Sequence, residues 1–229
     1  MKYLRVDHSP RLGYNTKLYY NLNDNMKRKE IITSFVDRPY FTKQDFLSVA
    51  KKFAISETTI NTFIQRGIEE KSLIPLKRNY YVTNEFFAKH KNNLKYKYYL
   101  SNILLKPSYV SRESALQYYG LLAESMANYH TCLTTKVTRK FEKGWDVFEY
   151  KTIKPELFNE FVVEKFLLDE KVYSFAIAKP YKAIFDYIYS KTQRIVLKRE
   201  ELFEILDDFR INYHALSKKE LSFLINCFK

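Results

Sequence analysis

Three charged residues stand at a spacing that suits phosphodiester chemistry. Asp146 precedes Glu149 and Lys151 in a segment whose alternating pattern predicts a β-strand. Glu149 and Lys151 would share one face of that strand, because successive side chains point to opposite faces. Carboxylates can hold Mg²⁺ while a lysine stabilises charge near an attacked phosphate. A magnesium-dependent nuclease using Asp146, Glu149 and Lys151 is therefore one hypothesis, and a solvent-facing strand edge is the simpler alternative.

The residue types that serve metal sites and nucleophilic catalysis are otherwise scattered. The four histidines, His8, His90, His130 and His214, have no second ligand at metal spacing. Cys132 falls in a predicted strand, where a buried thiol is a simpler interpretation than a nucleophile. The 4 glycines stand alone, so the sequence has no Gly-rich phosphate-binding loop. We therefore expect no metal, no cofactor and no enzymatic activity.

A second pattern suits DNA recognition. Ser56 is a potential N-cap for a helix that runs to about Lys71, with Ile60 and Phe63 on its apolar face. The opposite face carries hydrogen-bonding side chains and one arginine. We predict that the following residues contact base edges in the major groove: Thr58, Thr59, Asn61, Thr62, Gln65 and Arg66. The alternative is a polar face that meets only water, or one that contacts other proteins.

The segments before this helix are typical of a helix-turn-helix. Apolar periodicity predicts helices over 25–36 and 43–53. Only Ala54 and Ile55 separate the second of these from the Ser56 cap. Two helices joined so tightly must cross at a large angle, which is the geometry of a helix-turn-helix.

The segments after it predict a wing. Extended segments at 72–76 and 80–82 flank a short basic turn at 77–79, which is the pattern of a β-hairpin. Residues 25–83 are therefore predicted to form a winged helix-turn-helix that binds double-stranded DNA. The basic residues of the second helix and the wing suit contacts to DNA phosphates: Lys43, Lys51, Lys52, Lys77 and Arg78.

The distribution of charge supports this division of the chain. The formal net charge is +13. Residues 1–106 carry 20 Lys/Arg and 9 Asp/Glu, whereas residues 107–229 carry 19 and 17. A basic half beside a near-neutral half indicates that one half faces a polyanion, although a solvated basic surface would give the same totals.

Four segments are expected in total: an N-terminal arm or tail at 1–24, the winged helix at 25–83, a connecting helix at 84–106, and a mixed α/β domain at 107–229. In the last segment the pattern predicts a strand over 130–136, a hairpin over 139–153, a strand over 172–178 and three helices after Pro180. The fold class is thus mixed α+β. No apolar run approaches the roughly 20 residues of a membrane span. No apolar region follows Lys2 and Arg5, so we expect no signal peptide. The two cysteines suit a reducing cytoplasm, which is the expected location.

The second half resembles the AbiEi antitoxin family. Four segments carry the resemblance in order and spacing: SYVSRESALQYYGL at 108–121, TTK with RKFE at 134–142, YKTIKPELF at 150–158 and IAKPYKAIFD at 177–186. The family residues that this sequence retains are Ser111, Glu113, Ser114, Pro180, Lys182 and Asp186. Tyr181 stands where the family usually has glutamate, and Asn79 and Ser72 stand where it often has glycine.

The resemblance implies an antitoxin of a type IV toxin–antitoxin pair, acting in phage defence by abortive infection. Such a protein binds inverted repeats upstream of its own operon through the winged helix, represses that operon, and neutralises a nucleotidyltransferase-like toxin, directly or functionally. A winged-helix transcriptional regulator whose second domain senses a ligand or forms a dimer is the alternative. The nuclease remains a third hypothesis.

Overall fold

A computed structural model describes residues 13–123 and 127–228, with side chains from residue 23 onward. Within these ranges the protein is mixed α+β, as predicted, with nine α-helices and two β-sheets. The chain divides into two compact units, residues 1–90 (the N-terminal unit) and residues 91–229 (the C-terminal unit). In the described ranges, no helix has the length and apolar character needed to cross a membrane.

The N-terminal unit contains four helices and a three-stranded antiparallel sheet. The helices are α1 (Gly13–Thr33), α2 (Lys43–Ala50), α3 (Glu57–Glu69) and α4 (Asn84–His90). The strands are β1 (Phe41–Thr42), β2 (Leu73–Lys77) and β3 (Tyr80–Thr83), in the order β1-β3-β2. The β2–β3 hairpin was predicted. The two-residue strand β1, which pairs with β3, was not.

Local capping explains where α2 and α3 begin. The Thr42 hydroxyl accepts from the Asp45 amide at 3.1 Å, and the Asp45 carboxylate accepts from the Thr42 amide at 2.7 Å. The Ser56 hydroxyl accepts from the Thr59 amide at 3.3 Å. These side chains satisfy amide groups that have no partner within the helix. Between the two helices, Ala54 takes a left-handed conformation with φ 55°.

The core of this unit is aromatic and aliphatic. Phe35, Phe41 and Phe46 are stacked, with ring centroids 4.2–6.2 Å apart. Helix α3 adds Ile60 and Phe63, both almost fully buried. The residues that fix the direction of α3 are therefore the apolar ones that its periodicity predicted.

Two predicted boundaries in this unit are corrected. Helix α1 begins at Gly13, well before the predicted start at residue 25, because neither Gly nor Pro interrupts residues 14–33. The expected arm at 1–24 is thus helical over its second half, and residues 1–12 lie outside the described residues. Helix α2 ends at Ala50, and a 3-10 turn over Lys51–Phe53 replaces its last predicted turn.

The C-terminal unit contains five helices and a six-stranded mixed sheet. The helices are α5 (Leu94–Leu104), α6 (Glu113–Tyr118), α7 (Pro180–Thr192), α8 (Arg199–Asp208) and α9 (Lys218–Cys227). The strands are β4 (Tyr109–Val110), β5 (Tyr129–Thr134), β6 (Arg139–Lys143), β7 (Asp146–Thr152), β8 (Phe161–Leu168) and β9 (Lys171–Ala178). Their order is β6-β7-β5-β4-β9-β8, and the β5–β7 and β4–β9 pairs are parallel.

The division between the units lies sixteen residues before the boundary expected near Pro107. The predicted connecting helix at 84–106 is two helices, and the second, α5, belongs to the C-terminal unit. Tyr96, Tyr98 and Leu100 on α5 are fully buried. The carbonyl of Ser101 accepts from the Tyr150 hydroxyl at 2.5 Å. The second part of the predicted connecting helix, α5, is thus part of this unit's core rather than a link between domains.

Candidate functional site

Helix α3 presents one apolar and one polar face. Ile60, Phe63, Ile64 and Gly67 are buried. Of the six predicted base-contacting residues, five are exposed and Thr59 is half-buried. The structure therefore brings all six to the side of α3 that is not packed in the core.

The six residues differ in how they are held. The Ser56 hydroxyl lies 2.9 Å from the Thr58 hydroxyl and 2.8 Å from the Thr59 hydroxyl. The Gln65 amide donates to the Glu69 carboxylate at 3.0 Å. These three side chains already have partners within the helix. A DNA base would have to compete with those partners.

The other three predicted base-contacting residues are free to contact an external partner. Asn61, Thr62 and Arg66 are exposed, and none of them has a side-chain hydrogen bond within the described part of the chain. They lie at i, i+1 and i+5 of one helix, where one groove of DNA could accommodate them. Asn61, Thr62 and Arg66 are therefore the side chains best placed for an external partner.

Gly67 explains how closely α3 packs. A methyl group at this position would lie 2.9 Å from Leu73 Cδ1 and 3.3 Å from Ile32 Cδ1. The absence of a side chain lets the helix approach β2 and α1. The glycine lowers helix propensity by about 1 kcal/mol, but it serves this contact.

The β2–β3 turn carries basic side chains at its tip. Asn79 has φ 65°, a left-handed conformation that asparagine tolerates. Arg78 is exposed, and the Lys77 ammonium lies 4.1 Å from the centroid of the Tyr80 ring. The Asn79 carbonyl accepts from the Lys43 amide at 2.9 Å, so the turn is joined to the start of α2.

The other predicted phosphate contacts are less uniform. Lys43 is half-buried at the start of α2. Lys51 and Lys52 are exposed, but on the 3-10 turn rather than on α2. Arg28 was not singled out by the sequence. It is buried and bonded to Asn25 and Glu70, each at 2.6 Å, because an ion pair across 42 positions leaves no local signal.

Of the three hypothetical nuclease residues, Glu149 and Lys151 share one face of β7 as predicted, whereas Asp146 lies on the other face. Asp146 lies on the buried face of β7, where its carboxylate is 2.9 Å from His130 Nε2 and 3.0 Å from Lys97 Nζ. Glu149 lies on the opposite face and accepts from Arg112 at 2.7 Å. In the described residues, no group of three potential metal ligands occurs.

Glu149 is held as a carboxylate. Burial pushes its pKa upward, but the Arg112 hydrogen bond and charge, Lys151 and a hydrogen bond from Tyr129 outweigh burial and place the pKa below its ordinary value. Arg112 has φ 58° and is almost fully buried between Glu113 and Glu149. The residues around Arg112 in the sequence predict neither its positive φ nor its burial.

Three residues of the segments that resemble the AbiEi family, Ser111, Lys182 and Asp186, lie in one buried cluster. The Asp186 carboxylate accepts from Lys182 Nζ at 2.6 Å, from the Ser111 hydroxyl at 2.6 Å and from the Tyr109 hydroxyl at 3.0 Å. Lys182 and Asp186 have side chains that are 2% and 0% exposed. Burial raises the Asp186 pKa, and the Lys182 charge and the three hydrogen bonds oppose that rise. The cluster joins α7 to β4.

The other motif residues are structural as well. The Ser114 hydroxyl accepts from the Thr131 amide at 2.8 Å, joining α6 to β5. Glu113 lies 3.2 Å from Arg112 and 3.6 Å from Lys191. Pro180 occupies the first turn of α7, where a missing amide hydrogen costs nothing. The motif residues thus have partners inside the unit.

Comparison with known proteins does not identify a relative. A scan against models of known protein families found no match to this chain, and a search of curated proteins found none either.

Proposed function

We propose that the N-terminal unit is a winged helix-turn-helix that binds double-stranded DNA. The observation that carries the proposal is the face of α3, where exposed Asn61, Thr62 and Arg66 lack internal partners while the opposite face is buried. Asparagine pairs with adenine, threonine contacts the thymine methyl group, and arginine contacts guanine or a phosphate. In this proposal α3 lies in the major groove.

Basic side chains would supply the sequence-independent part of the affinity. Arg78 is exposed at the tip of the hairpin. Lys51 and Lys52 are exposed on the 3-10 turn. Contacts from such side chains to phosphates position a protein on DNA without selecting its sequence. Lys77 and Lys43 complete the proposed phosphate contacts from half-buried positions.

We further propose that the protein is an autorepressor and antitoxin of the AbiEi type. The four resembling segments all fall in the C-terminal unit, and Ser111, Lys182 and Asp186 from two of them meet in one cluster. This supports a shared fold more than a shared contact surface, because these residues are buried. Its partners would be inverted repeats upstream of its own operon and a cognate nucleotidyltransferase-like toxin. It would have no enzymatic activity, and it would act in the cytoplasm.

A mobility shift tests the DNA-binding proposal. The full chain would be titrated against the DNA just upstream of its gene and against a scrambled fragment of equal length. The proposal predicts a retained complex on the native fragment at concentrations that leave the scrambled fragment free. Equal retention of both fragments would refute sequence-specific repression.

A growth assay tests the antitoxin proposal separately. The full chain would be co-expressed with any toxin encoded beside its gene, as the wild type and as the Asn61→Ala variant. Rescue by both proteins would place neutralisation outside the DNA contact. Absence of rescue would favour the alternative, a winged-helix regulator whose second unit senses a ligand. A cavity in the C-terminal unit supports that alternative.

A further inference from the structure

A cavity of about 740 Å³ opens in the C-terminal unit beside strand β8 and helices α7 and α9. Small-molecule sites commonly have volumes of about 300–1,000 Å³. The uncharged part of its lining is Tyr119, Val162, Pro180, Tyr181, Phe223, Asn226 and Cys227. The volume and the mainly apolar wall suit a small organic ligand.

Aromatic rings form one wall of the cavity. The Tyr181 and Phe223 rings have centroids 5.3 Å apart. Phe223 is 41% exposed and lines the cavity. The Lys219 ammonium already lies 5.8 Å from the Phe223 ring. Aromatic faces attract cations, so this wall favours a positively charged group.

The charged residues of the lining leave a negative excess. They are Glu160, Glu164, Glu220, Lys179 and Lys219, in a chain whose net charge is +13. Glu160 is neutralised, since its carboxylate accepts from Lys179 at 2.6 Å and from the Tyr181 hydroxyl. One oxygen of Glu220 accepts from the Ser217 amide and hydroxyl at the start of α9.

Glu164 differs from the other carboxylates that line the cavity. It shares a face of β8 with Val162, Phe166 and Leu168, and it is half-buried. Within the described part of the chain it has no ion pair or hydrogen bond. A half-buried carboxylate on an apolar strand face is costly without a partner. Burial raises the Tyr119 pKa and the charges of Glu164 and Glu220 raise it further, so both carboxylates lie near this tyrosine.

We propose that this cavity binds a small organic cation, an ammonium or guanidinium group on an apolar stem. Glu164 is its counter-ion, and the rings of Tyr181 and Phe223 contact both the cationic group and the stem. The bound cation thereby supplies the opposite charge that Glu164 lacks. This proposal does not depend on DNA binding.

Cys227 provides a direct measurement of occupancy in the full chain. It is half-buried and lines the cavity, whereas Cys132, the other cysteine, is fully buried. Burial raises the pKa of both thiols, to about 12 for Cys132, so the half-buried Cys227 is the thiol that a reagent can reach. The rate of Cys227 alkylation would be measured with agmatine, spermidine or n-butylguanidinium, and with pentanamide as a neutral control. Calorimetry would measure the same titrations independently.

We expect saturable protection of Cys227 by at least one cation and none by pentanamide. Glu164→Gln removes the charge but retains the shape, and we expect it to weaken binding at least about tenfold, the loss of one charge-assisted contact. Glu204→Gln, on the exposed face of α8, is the matched control and should bind as the wild type does.

Three results would overturn the proposal. The first is no binding of any of the cations in the millimolar range by either method. The second is equal affinity of wild type and Glu164→Gln. The third is tighter binding of a blocked arginine tripeptide than of agmatine, which would assign the cavity to a partner protein's side chain.

Discussion

Asp186 is the centre of a fully buried cluster of polar side chains. Its carboxylate satisfies Lys182, Ser111 and Tyr109 at once, with no exposure to solvent. A buried ion pair stabilises little in itself, but removing one partner leaves an uncompensated charge. Asp186 is therefore expected to stabilise the packing of α7 against β4.

Replacing Asp186 tests this role. Asp186→Ala should lower the free energy of unfolding by about 3–5 kcal/mol, because Lys182 would stay buried without its counter-ion. Ser111→Ala, which removes one hydrogen bond, should cost only about 1 kcal/mol. Chemical denaturation measures both. If Asp186→Ala cost no more than Ser111→Ala, the pair would not be the centre of the cluster.

Glu149 gives a pH-dependent prediction. Its folded pKa lies below the ordinary value of 4.5, so its ionisation stabilises the fold above pH 4.5 and this contribution is lost as the pH falls further. Glu149→Gln should cost about 1 kcal/mol at neutral pH and progressively less in acid. Unfolding free energies of both proteins across this range provide the measurement. A difference that stayed constant with pH would contradict the assignment.

At the scale of elements, the tip of the β2–β3 hairpin and helix α3 have different expected roles in DNA binding, so each is tested by its own variant. Arg78 is exposed at the β2–β3 turn and is expected to contact a phosphate. Arg78→Ala should therefore weaken binding to all DNA sequences alike and reduce the slope of log K against log salt by about one. Anisotropy titrations at several salt concentrations measure the slope.

The control for this prediction is Lys154→Ala, which removes one exposed positive charge from the C-terminal unit. It should leave the slope unchanged. An unchanged slope for Arg78→Ala would remove the hairpin tip from the contact surface.

Helix α3 carries the sequence preference in the proposal. Asn61→Ala should relax discrimination between bases by about 1–3 kcal/mol with little change in the salt slope. Thr58→Ala should have a smaller effect, because the Thr58 hydroxyl is already bonded to Ser56. Competition titrations against variant operators distinguish the two. A larger effect for Thr58 would place the readout at the start of the helix.

Local signals predicted some elements well and others poorly. The cap at Ser56 and the turn at 77–79 depend on neighbouring residues, so both could be predicted from the sequence. Strand β8 was not predicted, because its exposed face carries Val163 and Leu167 and its inner face carries Glu164, which obscures the alternation. The mixed pairing of the six-stranded sheet depends on distant contacts and has no local signal.

The candidate site also contains some features that the sequence predicts and others that it does not. The polar face of α3 could be predicted from periodicity, since its apolar residues recur at helical spacing. The hydroxyl cluster at Ser56 and the Gln65–Glu69 bond could not, because they depend on rotamers. Because these contacts engage the other three predicted side chains, the candidates for external contact are reduced from six to Asn61, Thr62 and Arg66.

At the scale of the whole molecule, charge and structure divide the chain differently. Nearly all of the net +13 arises before residue 107, whereas the compact units separate between His90 and Lys91. Helix α5, with Lys95 and Lys97, therefore contributes basic residues to the C-terminal unit. The Lys97 ammonium is bonded to Asp146 at 3.0 Å, so part of the expected excess is internally neutralised.

The most direct test of the central claim is the ratio of affinities for the native upstream fragment and a scrambled one, measured at one physiological salt concentration. The account predicts a ratio of about a thousand or more for the wild type, reduced for Asn61→Ala by roughly ten- to a hundredfold. A ratio near one for the wild type, or a ratio that Asn61→Ala leaves unchanged, would contradict it.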